Sequence, residues 1–238
     1  MPDAKKTDTI RFLYTFQFPD GTEKIFEVFL DAHSLALVLG EDRPKPDWTK
    51  LKYYQCDNCP LKDDVEYCPV AVNLSTLIET FKDSISFESL TVSVQTTERT
   101  YQQKTTLQKA LSSVLGIYMV TSDCPVMDKL RPNVRFHLPF ASLTESVYRS
   151  VSMYLTAQYF LMQQGKTPDW ELKHLMDTFK EVAVVNKGMS RRLAQASNKD
   201  ANVNAVVILS SQGDMVNYSI ENQLDELKSF FTTYFKPE

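Results

Sequence analysis

The chain has 238 residues, 43% of them hydrophobic and 24% charged, with a net charge of −4. This composition excludes a disordered chain and supplies enough apolar material for one large core or two small ones. The acidic excess lies before residue 107, where 12 basic residues meet 17 acidic ones; beyond it the numbers are 14 and 13, so neither part has the basic surplus of a nucleic-acid binder.

The opening Met1–Asp8 is polar and does not read as a secretory leader. The most apolar runs, such as Val203–Leu209, are far too short to span a bilayer. A cytoplasmic protein with neither nucleic acid nor membrane as partner is therefore expected. The first half reads as strands. Ile10, Phe12, Tyr14, Phe16 and Phe18 recur with a period of two, which places five large side chains on one strand face. Phe18-Pro19-Asp20-Gly21-Thr22 has the chemistry of a turn, and Lys24–Leu30 returns as the second strand of a hairpin. Residues 40–47 form a polar, Pro-containing connection, and Trp48–Tyr54 is expected as a short strand. Asn73 is expected to cap a short helix that buries Leu74, Leu77, Ile78 and Phe81. Leu90, Val92 and Val94 alternate again and can pair with Arg99–Lys104 across Thr96-Thr97-Glu98.

After Thr106 the period becomes helical. Leu107, Ala110, Leu111, Val114 and Tyr118 share one face. Ser142-Leu143-Thr144-Glu145 is a capping box opening a helix that Gly165 should end. Trp170 begins a longer helix through Leu193, and two further segments, Asn202–Ser211 and Ser219–Tyr234, are separated by Gly213. Tyr148, Tyr154, Tyr159 and Phe160 are assigned to core and interface rather than to a cofactor site. The expectation is an α+β protein: antiparallel β-hairpins in residues 1–106, a helical bundle in 107–238, the two parts forming separate units or one integrated domain.

The four cysteines are Cys56, Cys59, Cys68 and Cys124. Cys-x-x-Cys lets a short loop turn two thiolates toward one centre, and Cys68 follows across a polar loop long enough to fold back. Cys124 would join the helical part to the β-rich part, a cross-link whose binding energy becomes folding energy. Zinc is the common four-cysteine occupant, usually held by two local pairs. One pair, one near neighbour and one remote Cys-Pro is closer in style to a 4Fe-4S cluster, although the intervals are not those of ferredoxins. Both occupants stay open, with the cluster placed ahead of Zn. Against a metal stand four inert thiols, and a thioredoxin-like redox pair, which Asp57, Asp63, Asp64 and Glu66 disfavour by their charge. A disulfide framework conflicts with a cytoplasmic location.

Arg131, Arg135 and His137 follow Cys124 closely, and with Arg99 they could form an anion-binding pocket beside the metal. The plainer alternative is that the arginines pair with acidic loops and His137 is a structural donor. His137 could also replace one cysteine as ligand. No Gly-rich phosphate loop, His-Glu-x-x-His or Gly-x-Ser-x-Gly occurs. Cys56-Asp57-Asn58-Cys59-Pro60-Leu61, Tyr67-Cys68-Pro69, Thr97-Glu98-Arg99-Thr100-Tyr101, Ser122-Asp123-Cys124-Pro125 and Arg135-Phe136-His137-Leu138-Pro139 together resemble an uncharacterised bacterial family of unknown function. The resemblance runs over most of the chain and implies no activity, ligand or catalytic residue.

The first functional expectation is a metal- or iron–sulfur-binding protein with a regulatory, redox-sensing or scaffold role. The alternatives are an enzyme acting on a small anionic substrate in the Arg/His pocket, and a helical protein-interaction module whose zinc is purely structural. A protein partner is compatible with all three, and no catalytic residue is assigned.

Overall fold

The structure, a computed structural model, describes residues 8–38 and 43–236. The polar start, apart from Asp8, and the first part of the 40–47 connection lie outside the described residues. Strands β1 (Thr9–Gln17), β2 (Glu23–Asp31), β3 (Ser89–Gln95) and β4 (Thr100–Thr106) form one antiparallel sheet in the order β2-β1-β3-β4. Both hairpins join neighbours in sequence, and β1 and β3 bring the two hairpins edge to edge with Tyr14 opposite Val94. The period of two holds: Phe12, Tyr14, Phe16, Val28, Leu30, Leu90, Val92 and Val94 are buried on one face.

Helices α1 (Pro69–Phe81), α2 (Leu107–Val120), α3 (Leu143–Gln163), α4 (Lys173–Ala196), α5 (Ala201–Glu221) and the short α6 (Asp225–Lys228) make up the rest, with 3-10 turns between several of them. Buried residues of the sheet and of the helices belong to one continuous apolar cluster. Helix α2 runs through its middle and is apolar on most of its circumference, as a central helix must be. No described helix is long and apolar enough to cross a membrane.

Several expected elements differ, each for a local reason. Trp48–Tyr54 is a pair of 3-10 turns, Asp47–Thr49 and Leu51–Tyr53, tied to the cysteine loop by a single bridge between Lys50 and Tyr67. Helix α1 starts four residues before Asn73, at Pro69, with Cys68 in the N-cap position. Proline suits the first helical position because it has no amide hydrogen to leave unpaired. Asn73 lies inside that helix and donates from Nδ2 to the Tyr118 carbonyl, tying α1 to α2. The long fourth helix starts at Lys173 rather than Trp170, after Leu172 in the left-handed region.

Gly213 does not divide two helices; it lies within α5. A Cβ there would stand 3.2 Å from Cδ1 of Phe179, so the missing side chain admits the aromatic ring of α4 against the α5 backbone. Beyond α5, the residues up to Tyr234 are α6 and a 3-10 run, Ser229–Phe235. Tyr148, Tyr159 and Phe160 face outward rather than into the core. Tyr154 is part-buried and donates to Asp169 at 2.9 Å.

The capping box is formed as read. Ser142 Oγ accepts from the Glu145 amide at 3.3 Å, and Glu145 accepts from the Ser142 amide at 2.8 Å. Gly165, at φ +75°, follows the last turn of α3 as its stop. Ser142→Ala removes one half of this box and should lower stability by about 1 kcal/mol. Chemical denaturation of the two proteins side by side checks it, the expected signature being a lower midpoint at unchanged slope.

Candidate functional site

The cysteines come from three separate places in the chain. Cys56 and Cys59 sit on a tight turn closed by the Cys59 amide donating to the Cys56 carbonyl at 3.0 Å. Gln55 braces that turn by donating to the Leu61 carbonyl. Cys68 precedes α1, and its own amide donates to Thr49 at 2.8 Å. Cys124 follows Asp123, a residue at φ +62°, just after α2. All four line one small void of about 20 Å³, together with Val185, Met189 and Arg192 of α4.

Cys68 and Cys124 share a local design that the sequence contains twice: Cys68-Pro69-Val70-Ala71 and Cys124-Pro125-Val126-Met127. Proline contributes no amide, so the next two N–H groups are the ones that face the sulfur. Val70 and Ala71 favour the Cys68 thiolate in this way, and Val126 and Met127 that of Cys124. Burial works the other way and dominates, raising the pKa of both thiols. Cys56 is pushed up to about 12, first by burial and then by the fields of Cys68, Cys59 and Cys124. Four ionised sulfurs so placed repel one another, which a bound cationic centre would offset.

Helix α4 forms the wall behind the thiols. Arg192 is only 1% exposed. Its guanidinium donates to the carbonyls of Trp48, Lys50 (2.7 Å), Leu51 (3.3 Å) and Tyr54 (2.7 Å). Its Nε is buried and unpartnered among the described residues. Its positive charge lowers the cost of ionising Cys56 and Cys68. One turn earlier, Gly188 lets the loop approach: a Cβ there would stand 2.6 Å from Cys56 Sγ. Asn58 Nδ2 donates to the Glu181 carbonyl at 2.9 Å, fixing the middle of the Cys-x-x-Cys turn to the same helix.

Among the described residues, no group of three or more His, Cys, Asp or Glu side chains stands in position to hold one metal ion.

The expected Arg/His pocket is not formed. Arg131 pairs with Asp123 at 2.6 Å and with Asp128 at 2.5 Å. Arg135 is exposed and lies over the ring of Phe136, and Arg99 is exposed in the β3–β4 turn. His137 is not among the residues around the thiols; its Nε2 meets Tyr14 Oη at 2.7 Å and Ser113 Oγ at 3.3 Å. His137 therefore replaces no cysteine. Its pKa is pushed down to about 3 by burial and, secondarily, by Arg149, so the ring is neutral at pH 7. Arg149 and Arg192 are the two cations that matter near these sites, and sequence reading named neither. Arg149 sits between Tyr148 and Ser150 on a polar stretch of α3, and Arg192 adjoins Arg191, so both look like solvated helix charges.

Arg192→Met keeps the volume and removes the donors, leaving four loop carbonyls without their partner. A stability loss of at least about 3 kcal/mol is expected from denaturant titration, with the region around Trp48–Tyr54 exchanging amide hydrogens faster. His137 produces a separate signature. The unfolded chain takes up the imidazole proton near pH 6.5 while the folded protein resists until about pH 3, so stability falls as pH drops through that interval. Above about pH 5, where carboxylates contribute little, the slope should shrink in His137→Gln, measured as denaturation midpoint against pH.

No curated protein and no solved structure matches the chain. A family model described as "Domain of unknown function (DUF6901)" matches residues 12–232, which takes in both hairpins, all four cysteines and all six helices, apart from the first residues of β1. The chain belongs to this family, a domain of unknown function.

Proposed function

We propose that Cys56, Cys59, Cys68 and Cys124 hold an iron–sulfur cluster of the 4Fe-4S type, and that the protein is a cytoplasmic redox-sensing or regulatory component. The observation that carries the reading is that three distant chain segments deliver all four thiols of the chain to one void. Chance burial of unrelated cysteines would scatter them through the core. One local pair, one near neighbour and one remote Cys-Pro is the ligand style that favours a cluster over a single zinc.

The surroundings suit such a group. A four-thiolate cluster is anionic, and Arg192 sets a buried positive charge beside it. Backbone amides following Cys68 and Cys124 face the sulfurs, the kind of hydrogen bonding that tunes cluster potential. Gly188 keeps the helix wall clear at Cys56. When bound, the cluster would supply one-electron chemistry or oxygen sensitivity; the chain supplies ligands, charge and a largely apolar pocket. A purely structural zinc is the second reading.

Anaerobically purified protein should be brown, with iron and acid-labile sulfide in equal amounts at roughly four each per chain. Cys68→Ser and Cys124→Ser should each lose most of that iron, and Gly188→Ala should lower it because its Cβ displaces Cys56. Colourless protein with one zinc per chain would replace the cluster with the structural reading. Protein with neither metal, even after reconstitution with iron and sulfide, would refute both.

A further inference from the structure

A second cavity, of about 370 Å³, lies between α2, α3, α4, α5 and the 3-10 run Met127–Phe136. It falls within the size range of small-molecule sites, roughly 300–1,000 Å³. No Asp or Glu is among its lining residues, while Lys109 and Arg149 both are. Lys109, with Gln103 and Gln212, is exposed and marks the mouth. Val134, Val182 and Asn186 are buried and mark the floor.

The inner polar groups are incompletely satisfied. Arg149 Nε and Nη1 are buried with no hydrogen-bond partner among the described residues. Arg149 and His137 line the same cavity, and the positive field of Arg149 reaches the hydrogen-bonded His137–Tyr14 pair. Neither of these neighbours is an anion: Tyr14 is pushed further from ionisation by burial, and His137 is neutral. Asn186, 3% exposed, has an unpartnered Oδ1, as does Asn133, and both line the cavity. Buried guanidinium nitrogens without a partner are costly, and a cavity lined by several unpartnered polar groups is organised for a ligand that supplies the missing partners. An amide can turn either its donor or its acceptor end to such a ligand.

Much of the remaining wall is apolar. Ile117, Leu130, Phe179, Ile208, Leu209 and Val216 line it with aliphatic and aromatic surface. Inorganic phosphate would satisfy Arg149 and leave this surface wet. We propose that the cavity binds an organic carboxylate with an apolar body, its carboxylate on Arg149 and its body along the α2–α5 wall. Arg149 offers a planar fork that matches a carboxylate bidentately, and Ser113 supplies a nearby hydroxyl already held by Tyr14 at 2.9 Å. The proposal stands apart from the cysteine centre, since it uses none of the thiols.

The test is calorimetric titration of the full, anaerobically purified chain with straight-chain carboxylates from butanoate to dodecanoate. One chain length in this series should bind saturably at one per chain, and the alcohol of the same length at least roughly tenfold more weakly, as loss of a charge-assisted bond implies. Arg149→Gln should weaken the best carboxylate by a similar factor, while Arg149→Lys should retain part of the affinity. Gly116→Ala is the second variant: its Cβ makes only ordinary contact, 3.5 Å from Leu209, and narrows the cavity without touching Arg149. It should shift the preference toward a shorter chain, whether or not Arg149→Gln folds. The proposal is overturned if no carboxylate binds, if alcohol and acid bind alike, or if inorganic phosphate alone binds. Affinity and length preference unchanged in Gly116→Ala would also overturn it.

Discussion

The guanidinium of Arg192 is the constraint on which the cysteine region depends. Residues 48–54 form neither a strand nor an α-helix, so beyond the one bridge between Lys50 and Tyr67 their carbonyls have no ladder to join, yet Leu51 and Thr49 are buried there. Buried carbonyls need donors. Arg192 reaches in from α4 and serves four of them at once. A single side chain thereby turns an irregular segment into a fixed platform. The platform carries Cys56 at its end, and through Thr49 it receives the Cys68 amide. Helix α4 places Arg192 and Gly188 one turn apart on the same side, so the residue that binds the loop and the residue that makes room for it are parts of one helical face. Asn58 adds a second tether, to Glu181 nearer the start of that helix.

How much of this was legible in the sequence depends on the range of the forces involved. Period-two alternation in Ile10–Phe18 and Leu90–Val94 reports a local geometry, and both hairpins follow from it. The capping box is equally local, and it formed as read. Gly213 misled because glycine has two uses. It looked like a break between helices, whereas its role is to admit Phe179 from another helix, a contact 34 positions away that no local pattern reports. Trp48–Tyr54, expected as a short strand, misled for the same reason: its partner is a side chain on α4 and not a neighbouring strand.

The candidate site divides along the same line. The cysteines were legible because thiols are few and their spacing carries chemistry. The cations were not. Arg131 and Arg135 lie near Cys124 in sequence but are taken up by Asp123, Asp128 and Phe136. Arg149 and Arg192 are remote in sequence and lie on helix faces whose burial only packing reveals. Proximity along the chain is a poor guide for arginine, whose long stem reaches across elements and whose worth depends on what else is buried with it.

The two cavities are joined by a common wall. On α4, Val182 and Asn186 line the larger cavity, while Val185 and Met189 line the one around the thiols. On the chain after α2, Met127 belongs to the first and Val126 and Cys124 to the second. Residues three apart in a helix sit about 300° around its axis, so 182 and 185, or 186 and 189, lie on adjoining rather than opposite faces. One helix and one turn of chain therefore separate a set of thiols from a set of unpaired donors. Close-packed interiors pass displacements on because neighbours have no free space to absorb them. Asn186 of the larger cavity and Gly188 and Arg192 of the thiol wall lie on the same helix, within two turns of one another. The fold thus sets its sulfur-rich site and its charged cavity on adjoining faces of a single helix, without requiring either to touch the other.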